Sequence, residues 1–202
     1  FAETATFDPG GPNETALTSA GAFDVFLARY GADGALLWAV RAGGADGDWG
    51  MAVDTNDSGD VWITGRFTDG AVFGAGDATE TTLASAEDSD LFAARYTADG
   101  SLVQVSAAGG NNNQVGTGVA VSDDGGAFVC GFVWANVTFG AGEANEVTLL
   151  SLGAQDAVLA RFDADGAFAW VKTLTGGSSV IPHDVALFDS GDLAVTGEFV
   201  AG

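Results

Sequence analysis

The 11-residue stretch DVFLARYGADG at 24–34 returns as DLFAARYTADG at 90–100 and as DAVLARFDADG at 156–166. The spacing is 66 residues both times, placing Asp24, Asp90 and Asp156 in one column and Arg29, Arg95 and Arg161 in another. A fixed period of this size is the mark of a repeat architecture, because each unit buries its apolar face only against its neighbours. Around the motif the same order recurs. ATFDPGGPNETALTS (5–19), AVFGAGDATETTLAS (71–85) and VTFGAGEANEVTLLS (137–151) each read as two short strands about a Gly/Asn-rich reversal.

After the motif come ALLWAVRAGG, SLVQVSAAGG and AFAWVKTLTGG, a polar connection, then GMAVD, GVAVS and DVALF. An acidic turn follows each, and the unit ends on VWITGRF, AFVCGFV or LAVTGEF. No segment carries a helical period, and Gly, Asn, Asp or Ser bounds every strand. The chain is therefore predicted to be all-β. Several strands are apolar on both faces, which requires sheets covering both sides. That pattern predicts a β-propeller built of 66-residue, four-stranded blades, each with an inserted hairpin.

The 202 residues are read as one propeller fragment of three units, about 1–66, 67–132 and 133–198. Three blades fall below the usual range of about four to eight. Either two chains share a ring as a homo-oligomer or the chain is part of a longer parent. The opening Phe1, in place of Met, favours the longer parent.

The motif D-x-F-x-A-R-Y-x-x-x-G, with Trp38, Gly43-Gly44, Ala52-Val53-Asp54 and Gly59-Asp60-Val61-Trp62-Ile63-Thr64-Gly65, resembles the SBBP-type β-propeller repeats of bacterial secreted and surface proteins. The resemblance spans nearly the whole chain. It implies an extracellular or cell-surface module without shared chemistry. The inserted hairpin, and Ala157-Val158 in the third motif, depart from the pattern.

Charge narrows the partners. Acidic residues outnumber basic ones 28 to 6, for a formal charge of −22, which opposes nucleic acid and anionic lipid surfaces. No apolar run is long enough to insert as a transmembrane helix. Cys130 is the only cysteine and sits in an apolar run, as an inert buried thiol would. His183 is the only histidine, so neither a His zinc set nor a His relay can form.

Repetition also bears on the carboxylates. Glu14, Glu80 and Glu146 keep the period and so lie on separate units, not as a close acid/base pair. The repeated arginines are expected to pair with carboxylates, and Asp24, Asp90 and Asp156 to tie down the strand entry through backbone N–H groups. Asn13, Asn56 and Asn136 begin glycosylation-type triplets.

Two candidate sites remain. Asp54, Asn56, Ser58 and Asp60 alternate oxygen donors with Gly59 at the sixth place, like the first half of a calcium loop, although its twelfth place is Gly65. An acidic turn without metal is the alternative, and calcium is the one cofactor in view. The connections between units carry Asp46, Asp48 and Trp49; Asn111, Asn112, Asn113 and Gln114; and Ser178, Ser179 and His183. These differ between copies while the strands around them repeat, which is where ligand binding is usually built. The expected function is non-enzymatic: adhesion, scaffolding or recognition of a protein or glycan. A carbohydrate-active hydrolase or lyase using acidic loop residues, with or without calcium, is the alternative.

Overall fold

The structure is a computed structural model, and it describes residues 1–150, 154–176 and 178–200. Ser151 of the third hairpin segment, Gly177 of AFAWVKTLTGG and the last two residues fall outside that range. The described residues form strands and turns only, as the sequence predicts. In order the strands are β1 (Thr4–Phe7), β2 (Thr15–Thr18), β3 (Val25–Tyr30), β4 (Leu36–Gly44), β5 (Trp49–Thr55), β6 (Val61–Phe73), β7 (Thr81–Tyr96) and β8 (Leu102–Gly110). They continue as β9 (Gln114–Val121), β10 (Ala127–Val133), β11 (Asn136–Phe139), β12 (Val147–Leu150), β13 (Asp156–Phe162), β14 (Phe168–Leu174), β15 (Ser179–Leu187) and β16 (Leu193–Val200).

Strands β5, β6, β7 and β8 hydrogen-bond antiparallel in chain order. Strands β9, β10, β13 and β14 repeat that order, with the β11–β12 hairpin inserted between β10 and β13. Flanking them are two pairs, β3–β4 before and β15–β16 after, and the β1–β2 hairpin. Hairpins stitch consecutive sheets: Gly43 and Gly44 of β4 pair with Val72 and Ala71, and Gly109 and Gly110 of β8 with Thr138 and Val137. β3, β4, β5, β6, β7, β8, β11 and β12 thereby form one eight-stranded network.

Burial on both faces has a direct cause. Ile63, Phe92, Ala94 and Tyr96 of the β5–β8 sheet pack with Val25 and Leu27 of β3, on one side. Trp62, Leu91 and Ala93, on the other side, pack with Val119, Val129, Val158 and Phe162 of the next sheet. Trp62 is fully buried, and its indole Nε1–H donates to Gly125 O at 3.0 Å, so its one polar atom is satisfied. Burying a side chain of this size stabilises the packing by about 2–3 kcal/mol.

The motif forms β3, β7 and β13, and Ala-Asp-Gly turns the chain with Gly34, Gly100 and Gly166 at φ 84°, 88° and 80°. Only glycine takes that conformation without strain. The motif also binds the next unit: Arg29 donates to Ala98 O at 2.5 Å, and Arg95 donates to Ala164 O.

Two features differ from the sequence reading. VWITGRF and the hairpin strand after it form one long strand, β6, bulged at Thr68/Gly70 where Asp69 takes φ 57°. Strands β5, β9 and β15 also start earlier than GMAVD, GVAVS and DVALF suggest, so Trp49, Gln114, Ser179 and His183 lie in strands, not in the connections.

Candidate functional site

The connection from β4 to β5 is fastened by Asp48. This residue is buried, and its carboxylate accepts from Gly44 N at 2.8 Å and Thr68 N at 3.1 Å. Burial pushes its pKa up to about 6, against the lowering by those two N–H groups, and Asp24 and Asp46 add repulsion. Trp49 stacks under the Arg66 guanidinium, 4.0 Å from its ring centre, and against Phe23. Asp46 is exposed at the tip.

The connection from β8 to β9 uses Gln114 at the corresponding place. It is wholly buried and donates from Nε2 to Asn111 O at 2.8 Å and Trp134 O at 3.2 Å. Asn113 Oδ1 accepts from Ser89 at 2.7 Å, while Asn111 and Asn112 are exposed. Asn112 has φ 63°, a left-handed conformation that asparagine tolerates better than most residues. In the third connection Ser178 O accepts from Ala154 N at 2.9 Å, and Ser179 bridges Gln155. His183 is exposed within β15, at its bulge between Pro182 and Asp184. The candidate residues thus divide into buried fasteners, Asp48 and Gln114, and exposed tips, Asp46, Asn111 and Asn112.

The calcium-like loop is a closed turn with much of its oxygen already engaged. Gly59 N donates to Asn56 O at 3.0 Å, and Asp60 N to Asn56 Oδ1 at 3.1 Å. Asp54 accepts from Val121 N at 2.8 Å in the next sheet, and Asp60 pairs with Arg95 at 2.7 Å. Burial acts to raise the Asp60 pKa, but hydrogen bonds from Arg95 and Asn56 outweigh it and lower the carboxyl. Ser58 is exposed. Among the described residues, no three His, Cys, Asp or Glu side chains gather as a metal-holding set.

The repeated charges act within the fold. Glu14, Glu80 and Glu146 accept from Gly10, Gly76 and Gly142 N at 2.5, 2.7 and 2.8 Å, closing the three inserted hairpins identically. Arg95 and Arg161 have the expected carboxylates, Asp60 and Asp124, both at 2.7 Å; among the described residues Arg29 pairs with no carboxylate and donates to Ala98 O. Asp24 and Asp90 accept from Ala20 and Ala86 N at 2.8 and 3.0 Å, as predicted at the strand entry. Asp24 also pairs with Arg41 at 2.6 Å, a contact the repeat conceals because Ala107 and Thr173 fill that column. Cys130 is buried, and burial raises its pKa.

Two cavities are relevant. One, of about 310 Å³, lies between β3 and β5, lined by Phe1, Asp24, Val25, Phe26, Asp48 and Met51 among others. The other, of about 810 Å³, opens beside the acidic turns and is lined by Asp54, Asp123, Asp124, Asp184, Asp189 and Arg161 with valines of the first strands. In the second, the Ser122 hydroxyl and then Arg161 hold Asp124 down to about 2.

No known family model matches the chain, and no curated protein matches it significantly.

Proposed function

We propose that the chain is a three-unit segment of a β-propeller, of the SBBP-like type its motif resembles, and that it serves as an extracellular recognition or adhesion module for a protein or glycan. Support for the propeller comes from two four-stranded meanders of identical order, packed face to face and tied by equivalent hydrogen bonds. One observation carries the functional reading: the repeated Glu14, Glu80, Glu146, Arg95 and Arg161 are consumed inside the fold, whereas the tips Asp46, Asn111 and Asn112 are exposed and differ between units. A constant scaffold with varied exposed loops is the usual design of a binding face.

The acidic cavity is where a hydrolase would have to work. Asp124, ionised down to about pH 2, cannot be a general acid at neutral pH, and Asp54 already accepts a backbone N–H. The test is a glycan and protein array probed with the chain and with an Asp46→Ala, Asn111→Ala, Asn112→Gly variant, glycine being free to keep the left-handed φ at 112. Binding by the parent and its loss in the variant, with an unchanged melt, is the expected result. Full binding by the variant would move the site elsewhere, and product release from any arrayed glycan would favour the hydrolase.

A further inference from the structure

Four of the chain's seven asparagines meet at one corner of the middle unit, although the sequence separates Asn136 from the other three. Asn111, Asn112 and Asn113 turn the chain from β8 into β9, and Asn136 opens β11. Asn111 N donates to Asn136 O at 3.2 Å, which sets the two segments side by side. The side chains of Asn111, Asn112 and Asn136 are exposed and bond to no described residue, whereas Asn113 is engaged with Ser89. The segments themselves, GGNNNQ at 109–114 and WAN at 134–136, carry no charge in a chain of formal charge −22.

An aromatic pair stands beside these amides. Trp134 meets Phe132 edge to face, with ring centres 5.0 Å apart at 80°, and both rings are half-buried. The Trp134 indole N–H finds no acceptor among the described residues, whereas those of Trp38 and Trp62 donate to Ala98 O and Gly125 O at 2.9 and 3.0 Å. Both aromatics are peculiar to this unit: the column of Phe132 holds Arg66 and Glu198, and that of Trp134 holds Thr68 and Val200.

The buried Gln114 sets this corner in advance. Its one Nε2 donates to Asn111 O at 2.8 Å and to Trp134 O at 3.2 Å, and Trp134 N donates to Asn113 O at 3.1 Å. The turn that carries the amides and the strand end that carries the indole are thereby fixed to each other, so a ligand has little left to order.

We infer that this corner binds a neutral carbohydrate. The inference rests on the recognition reading and narrows its partner to one class. An asparagine amide both donates and accepts, as a sugar hydroxyl does, so three free amides can meet several hydroxyls of one saccharide. The half-exposed indole offers an apolar face to the C–H face of a pyranose ring, and its free N–H to a further hydroxyl. A protein partner would need a broad patch, about 800 Å² on each side, with apolar anchors at its centre. Neither segment carries a strongly exposed large hydrophobic residue. An acidic saccharide is disfavoured, because neither segment has a cation and Glu87 and Asp88 stand exposed just before Ser89, which holds Asn113.

The experiment is ¹H–¹⁵N NMR of the 202-residue chain, titrated separately with cellohexaose, xylohexaose, mannohexaose, maltohexaose and chitohexaose to about 5 mM, enough to see a millimolar Kd. Hexagalacturonate is the anionic control. At least one neutral hexaose should move the Trp134 indole N–H together with the Asn111, Asn112 and Asn136 side-chain amides, and hexagalacturonate should move none of them. Trp134→Ala should weaken that binding about ten-fold or more, and Trp134→Phe less. An Asn111→Ala, Asn136→Ala variant, changed only at exposed side chains, should weaken it several-fold with an unchanged melt, so that the loss is not one of folding. The inference is overturned if no neutral hexaose moves Trp134, if the variants bind as the parent does, or if hexagalacturonate binds equally well. If an arrayed protein is then bound through Asn111 and Asn112 instead, the carbohydrate inference falls and the recognition reading stands. If neither saccharide nor protein engages these tips, both fall.

Discussion

Residues 48 and 114 stand 66 residues apart in the same place of consecutive units, and both are buried, yet they do opposite chemistry. Asp48 accepts from two backbone N–H groups, those of Gly44 and Thr68. Gln114 donates to two backbone carbonyls, those of Asn111 and Trp134. The third copy has Val180, whose side chain can do neither. A repeat can therefore keep its strands constant and still fasten each connecting loop by a different device. The Asp48 fastener carries a charge that burial disfavours and so responds to pH, whereas the Gln114 fastener is neutral.

The largest loss of stability is expected from Gln114→Asp. It replaces a donor with a buried acceptor facing two carbonyl oxygens, and should cost about 3–5 kcal/mol at pH 7, read by denaturant unfolding. Gln114→Ala, which leaves those carbonyls unpaired beside a small void, should cost about 2 kcal/mol. Asp48→Ala should cost less than Gln114→Ala at pH 7, because losing two hydrogen bonds is offset by removing a disfavoured charge.

The pH dependence sharpens the contrast. With a folded pKa of about 6 against an ordinary 3.8, Asp48 binds its proton more tightly in the folded state. Its contribution to stability therefore grows as pH falls from about 6 towards 4, and is smallest above 6. Asp60 and Asp124 have lowered pKa values, so their contribution is present above about 4 and is lost on further acidification. The melting temperature should thus peak between about pH 4 and 6, several degrees above its value at pH 7. Asp48→Asn should shrink the limb above pH 4 to the part that Asp90, also raised by burial, contributes, and Gln114→Ala should leave it intact.

Smaller effects follow at the surface. Glu80→Ala, removing one exposed hairpin clasp, should cost about 0.5–1 kcal/mol. Asn111→Ala should leave the melt within a degree, since its exposed side chain carries no bond the fold depends on.

The period carried most of this architecture into view from the sequence. It located the motif strands, the hairpins and their turns, and it correctly made Asp24, Asp90, Arg95 and Arg161 structural, since residues that recur in separate units face separate surroundings. What it hid were the residues that break the period. Asp48 and Gln114 read as loop residues because their column holds Asp, Gln and Val, and only Val180 hinted that the position was buried. Trp49 sits among Gly and Asp in GADGDWG, which looks like a turn but begins strand β5 under Arg66. Arg41 has no counterpart in the other copies, so its bond to Asp24 left no periodic trace.

The division between buried fasteners and exposed tips stands or falls with Asp48. Its carboxylate can be followed by carbon-detected NMR through a pH titration of the folded chain, with the Gln114 side-chain amide in the same spectra as a reference that does not titrate. A midpoint near 6 is the predicted result. A midpoint near the ordinary 3.8 would mean that Asp48 is open to solvent, and would return it to the ligand-binding surface with Asp46.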